Sequence, residues 1–500
     1  MKTREAHLAL LVDFGSTYTK LVAVDLDAMT IVGQAQAPTT VETDVNVGLW
    51  QGLARLEREF ALPPDRFTLR LACSSAAGGL RVIAIGLVRS LTVEAARQAA
   101  LGAGARIAGA FGDTLTAQEI EEIADAQPDL ILLAGGTDGG DRATLLHNAA
   151  RLAESAVVAP IVLAGNKDGA PQAEQLLRDG GKEVRAAANV LPRLNEIDVE
   201  PARAAIRRLY MERIVAAKGL SRAEAFIGRV VMPTPAAVLR AARLLAEGTA
   251  GWPGWESVMV VDIGGATTDV HSIAPDRPAA ECVIRHGLPE PHAKRTVEGD
   301  LGLRVSAVAL LESLGAAALR AELDDALPAG SADDADSVLR DAIQRRATET
   351  GLVPTDAFER RLDAALAHIC AATGTARHVG RLREHYTASG YCLVQDGKDL
   401  TQIAHLVGTG GIFVHTAEPA RILAGALFDP QQPHVLRPAR PELHVDRDYV
   451  LWAMGLLADS HPDVALDILA RGLPVIARAA EEPSAPAHGL RRTPPDGRIE

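Results

Sequence analysis

VDFGSTYTKLV, Val12 to Val22, carries an aspartate at the end of one apolar run, a turn of Gly, Ser and Thr, and then a second apolar run. A related stretch, VDIGGATTDVH, spans Val261 to His271. Aligned from their valines, the two share Val, Asp and Gly at the first, second and fourth positions and Thr at the eighth. Apolar runs of this length bounded by turn residues read as strands. A strand–turn–strand unit that recurs half a chain later predicts two related halves, with two hairpins forming one clamp.

The residue types say what such a clamp holds. Glycines let backbone approach a ligand, and turn amides can converge on an anion. Ser16, Thr17, Thr267 and Thr268 add hydroxyl donors, and Lys20 adds a positive charge unless it faces solvent. Asp13 and Asp262 end their strands at the mouth of each turn. Carboxylates repel phosphate but suit Mg²⁺, directly or through water. The set fits Mg²⁺–polyphosphate, with one carboxylate free to orient an attacking water. Neither stretch is a Walker A loop. A third glycine turn, HLVGTGGIF from His405 to Phe413, follows another apolar run, and Gly408, Gly410 and Gly411 leave room for a flat nucleoside.

Five hundred residues exceed one core, so two or more domains are expected. The net charge of −13 argues against a nucleic-acid binder. The four cysteines form no C-x-x-C pair, so neither a zinc site nor a disulfide framework is suggested. No run of about eighteen apolar residues and no secretory leader is visible, which predicts a cytoplasmic protein without a membrane span.

Between the two hairpins, from Asp129, the chain alternates as βαβαβ, the pattern of a parallel sheet. Thr92 is a plausible helix N-cap, with its helix running from Val93 to about Leu101. DDALPAGSADDADS, residues 324–337, reads as an acidic surface loop. The expected division is a first half over 1–255 that includes an inserted region of about 80–200, a second half over 256–478, and a disordered tail over 479–500.

The order D-x-G-S-x-x-T-K, D-I-G-G-A-T-T-D, V-G-T-G-G resembles the actin-like ATPase superfamily, whose members include sugar kinases, DnaK-type chaperones and actin. The resemblance implies an α/β fold of two ribonuclease H-like duplicated domains closing over Mg-ATP, with an inserted βαβ layer between the phosphate motifs. It implies that Asp13 and Asp262 are the catalytic pair and hold the metal. It assigns Gly15, Ser16, Thr17, Lys20, Gly264, Gly265, Thr267 and Asp269 to the phosphates, and Gly408, Gly410 and Gly411 to adenosine. Glu298, in EGDLG, would accept from a ribose hydroxyl or else cap a helix together with Asp300.

A narrower likeness covers residues 8–460. VDFGSTYTK, SSAAGGLRV, LLAGGTDGGD, VVDIGGATTDVHS, RTVEGDLGLRVSA and RPARPELHVDRDYVLWAMGLL together resemble the GlmL/MutL family, accessory proteins of adenosylcobalamin-dependent glutamate (methylaspartate) mutase. The likeness implies a reactivating chaperone whose partner is a mutase subunit. It would use slow ATP hydrolysis to release damaged cobalamin from that client. A small-molecule kinase or an ATP-dependent hydantoinase-like enzyme is the alternative on the same fold. LLAGGTDGGD is either a phosphate turn or the plain end of a parallel strand. PELHVDRDY, with His444 and three acids, reads as a solvated loop unless other ligands converge on it.

Overall fold

The computed structural model describes residues 7–15, 18–38, 46–74, 80–194, 196–217, 226–227, 230–280, 283–323, 332–387 and 390–479. Ser16, Thr17, residues 324–331 of the acidic stretch and the tail from 480 lie outside the described residues.

The first apolar run forms β1 (Leu8–Phe14), buried at every position. A strand buried on both faces needs neighbours on each edge and cover above and below. Its partner across the turn is β2 (Tyr18–Asp25), which runs antiparallel, followed by β3 (Thr30–Pro38), also antiparallel. On the other edge lie β4 (Phe67–Ser74) and β10 (Val230–Pro233), both parallel to β1. The sheet order is β3-β2-β1-β4-β10.

The second half repeats this plan. The hairpin of β11 (Val258–Ile263) and β12 (Thr268–Ile273) is antiparallel, and β14 (Ala293–Glu298) is antiparallel to β12. Parallel strands β17 (His405–Thr409) and β18 (Glu442–Val445) lie on the other side, with β19 (Val475–Arg478) antiparallel at the edge. The order β14-β12-β11-β17-β18-β19 matches the first sheet strand for strand before the added edge. Two sheets of this order and sense are the duplicated ribonuclease H-like pair of an actin-like fold.

The two halves share a core. Ala9 and Leu11 of β1, Val258 and Val260 of β11, and the helices Thr234–Glu247 and Leu451–Leu457 form one apolar cluster. The helices meet so closely that a Cβ at Gly455 would overlap the carbonyl oxygen of Ala237.

The chain leaves the first sheet after β4 and returns at β10. In between, β5 (Arg81–Gly86), β6 (Arg106–Gly112), β7 (Leu130–Leu133), β8 (Ile161–Leu163) and β9 (Val184–Ala186) form a parallel sheet in the order β6-β5-β7-β8-β9. The layer is thus larger than the βαβαβ unit expected from Asp129 onward.

Several local expectations change. Thr92 does not cap the helix Glu94–Gly102; its hydroxyl accepts from Val88 N at 2.9 Å inside a wider preceding turn. Residues 332–337 already belong to the helix Ala332–Thr348. The GTDGGD loop after β7 is closed by its own surroundings: Asn166 donates to Gly140 O and Asp141 O, and Asn189 to Gly136 O and Asp138. That favours the plain strand-end reading. A third sheet of β13 (Val283–His286), β16 (Gly390–Asp396) and β15 (Arg381–Thr387) was not expected, since charged strands such as RLREHYT give little alternation to read.

Candidate nucleotide site

Strand register explains how the two aspartates differ. Asp13 pairs with Lys20 across its hairpin and with Cys73 on β4. Asp262 occupies the equivalent place, pairing with Asp269 and with Thr409 on β17. One hairpin therefore gives its aspartate a cation, and the other gives it a second acid.

Asp13 is buried. Thr234 Oγ1 donates to its Oδ1 at 2.6 Å, the Cys73 thiol lies 3.6 Å from the same oxygen, and Lys20 Nζ stands 3.7 Å from Oδ2. Burial pushes the Asp13 carboxyl up, and Lys20, Thr234 and Cys73 pull it back down. Lys20 does not face solvent. Its ammonium also lies 3.9 Å from the ring centroid of Tyr449, a residue of the second half, so it reaches from one half to the other.

Asp262 keeps part of its surface open, and among the described residues nothing hydrogen-bonds its carboxylate. Burial, then the charges of Asp269, Asp446 and Asp13, push it up to about 7 against the opposing pull of Lys20. A carboxylate crowded by acids, without a protein donor of its own, fits a divalent cation.

The glycines divide by cause. Gly15 N bonds Tyr18 O at 3.1 Å and Gly264 N bonds Thr267 O at 2.9 Å, so the two turns close alike. A Cβ at Gly15 would come within 2.5 Å of Tyr18 O. Gly265 is exposed at the tip of its turn. Gly408 is small because the Phe413 ring fills the space where a Cβ would stand. Gly410, with φ of 108°, packs its backbone against Ile263 and so locks the third turn to β11. Gly411 faces open space.

Other expected residues are already engaged. Asp269 is buried against Arg295, whose Nε donates to it at 2.8 Å. The same guanidinium donates to Leu101 O and Ala105 O, so this ion pair fastens the second half to the inserted segment. Thr267 Oγ1 reaches Asp269 at 3.3 Å, while Thr268 is buried and donates to Leu301 O, away from the turn. Glu298 ends β14 and caps no helix: the next begins at Ala307. Arg377 Nη1 instead donates to Glu298 at 2.8 Å, and the same guanidinium grips Asp300. Burial pushes the Glu298 carboxyl up, and Arg377 opposes that shift.

Sequence reasoning passed over Thr234, Tyr449 and Asp446. Asp446 is fully buried at the end of β18. It accepts from Thr409 Oγ1 and from the amides of Val450 and Leu451, all at 2.9 Å. It was visible as an acid following an apolar run in ELHVD, the same signal that marked Asp13 and Asp262. Thr234 had no such signal, because only the sheet brings it to Asp13 from 221 positions away.

The sequence pattern of the family described as MutL protein matches residues 9–473. Protein MutL of Clostridium tetanomorphum is 46% identical over 464 residues, covering 93% of this chain and 98% of its own. Among solved structures, xylulose kinase from Bifidobacterium adolescentis aligns over 96% of this chain and 97% of its own at 12% identity and a TM-score of 0.34. Acetone carboxylase in its nucleotide-free structure aligns over 91% and 70% at 14% identity and a TM-score of 0.36. A match over nearly the whole length, in pattern and in relative alike, shows that this chain belongs to the MutL protein family.

Proposed function

We propose that this protein is an ATP-dependent reactivating chaperone for an adenosylcobalamin-dependent mutase of the glutamate (methylaspartate) type. The observation that carries the nucleotide part is that Lys20 sits against Asp13, over Tyr449, and within electrostatic range of Asp262. Both phosphate-type hairpins thus converge on one charged locus. The client is read from membership of the MutL family.

In this reading the Gly265 amide, with the hydroxyls of Ser16, Thr17 and Thr267, holds the phosphates, while the Gly15 and Gly264 amides close the two turns. Gly410 and Gly411 border the adenosine. Asp13 and Asp262 hold Mg²⁺, which when bound neutralises phosphate charge. Asp262 would orient the water whose oxygen attacks the terminal phosphorus as the bond to the ADP oxygen breaks, the water's proton passing to the phosphate released. Asp13, fixed by Thr234 and Lys20, keeps one orientation throughout. Lys20 bridges the halves, so nucleotide occupancy between them biases their separation, and that motion would act on the client.

The test has two stages. Purified protein should hydrolyse ATP slowly with Mg²⁺, and Asp13→Ala and Asp262→Ala should each abolish turnover; full turnover in both variants overturns the site. Incubation with ATP and a mutase inactivated by cyanocobalamin, followed by fresh adenosylcobalamin, should restore mutase activity. Failure there, with rapid phosphorylation of a sugar or acid instead, would favour a kinase.

A further inference from the structure

At the ends of β17 and β18 remote from the glycine turn, three side chains meet that the nucleotide site does not use. His405 stands opposite Glu442 in the parallel register, and His444 lies two residues along from Glu442 on the same strand face. One ligand atom from each residue lies within 4.8 Å of the other two. His405 Nδ1 is 3.0 Å from His444 Nε2 and 3.7 Å from Glu442 Oε2. Around an ion bonded tetrahedrally to four ligands at about 2.0–2.2 Å, neighbouring ligand atoms lie about 3.3–3.6 Å apart. The two distances bracket that edge.

The site has the surroundings of a metal centre. His444 is buried, and its Nδ1 donates to Leu473 O at 2.8 Å. A carbonyl accepts only, so the proton is on Nδ1 and the Nε2 lone pair points at the cluster. Ligating histidines are oriented by this kind of bond from the other ring nitrogen. Trp255 stacks on both imidazoles, at 4.5 Å from His405 and 4.6 Å from His444, with 24° between planes in each case. Arg478 takes the other oxygen of Glu442 at 2.8 Å and leaves Oε2 toward His405. Without an ion, His405 donates its Nδ1 proton to His444; as a ligand it carries that proton on Nε2.

The geometry points to a divalent transition-metal site formed by His405, Glu442 and His444, of the two-imidazole, one-carboxylate kind that takes Zn²⁺. It is separate from the Mg²⁺ chemistry of the cleft, since imidazole ligands suit Zn²⁺ and hard oxygen ligands suit Mg²⁺. An ion here clamps β17 to β18, the strands whose far ends carry Gly410 and Asp446.

Untagged full-length protein, stripped with a chelator and kept free of nucleotide, would be titrated with Zn²⁺ against a competing dye and with Co²⁺ by its visible absorption. The expected result is one ion per chain, a tetrahedral Co²⁺ spectrum, and a higher melting temperature with Zn²⁺. His405→Gln and Glu442→Gln, both at partly exposed positions, should lose the tight equivalent and the thermal shift. Asp262→Asn should keep both. Binding that is absent, or that persists unchanged in His405→Gln and Glu442→Gln, overturns the assignment.

Discussion

Lys20 Nζ lies 3.7 Å from Asp13 Oδ2. The pair spans the two strands of the first hairpin, and the face of the Tyr449 ring approaches the same ammonium from the second half. Lys20→Met keeps the length of the side chain and removes the charge. Asp13 then loses its nearest cation in a buried site, and phosphate loses a counter-charge. ATP hydrolysis should fall by about 100- to 1,000-fold, as when one preorganised electrostatic group is removed. Steady-state assays across Mg²⁺ concentration would show the loss; an unchanged rate would mean that Lys20 only packs.

Asp262 makes stability depend on pH in a stated direction. The unfolded carboxyl releases its proton near 4, whereas the folded one holds it to about 7. Between these values the folded state binds more protons, so its stability falls as pH rises. Asp262→Asn removes that loss. Without nucleotide or Mg²⁺, the variant should exceed the natural protein by about 1–2 kcal/mol at pH 8 after allowing for partial exposure, and match it below pH ~4. Urea unfolding at the two pH values measures the gap. Mg²⁺ should narrow it by stabilising only the natural protein.

Asp269 illustrates a site residue whose loss would mislead. Its carboxylate compensates the buried Arg295, which also holds Leu101 O and Ala105 O. Asp269→Asn strands that guanidinium and should cost about 3–5 kcal/mol of stability. Any loss of ATPase activity should track unfolding, and chemical denaturation run beside the assay separates the two effects.

Glu298 gives the opposite expectation. Arg377 holds it together with Asp300 at the end of β14. Glu298→Gln preserves shape and keeps an oxygen for Arg377. The KM for ATP should stay within about threefold, under 1 kcal/mol. A tenfold or greater rise would instead reveal a charged hydrogen bond to the ribose, whose loss is worth about 1.5–3 kcal/mol.

What was legible in the sequence was local. Apolar runs ending in aspartate and glycine marked β1 and β11, and one ending in glycines marked β17, because strand period and turn chemistry depend only on near neighbours. The echo of VDFGSTYTK in VDIGGATTD showed two halves for the same reason. What each aspartate experiences was decided by the tertiary structure. Register set Lys20 beside Asp13 and Asp269 beside Asp262, and β10 carried Thr234 to Asp13 from a distant stretch. The same parallel pairing turned His444 from an apparent loop residue into the buried partner of His405. Proton affinity and ligand geometry depend on charge and atoms within a few ångströms, and which groups stand that close is a property of packed strands rather than of adjacent residues.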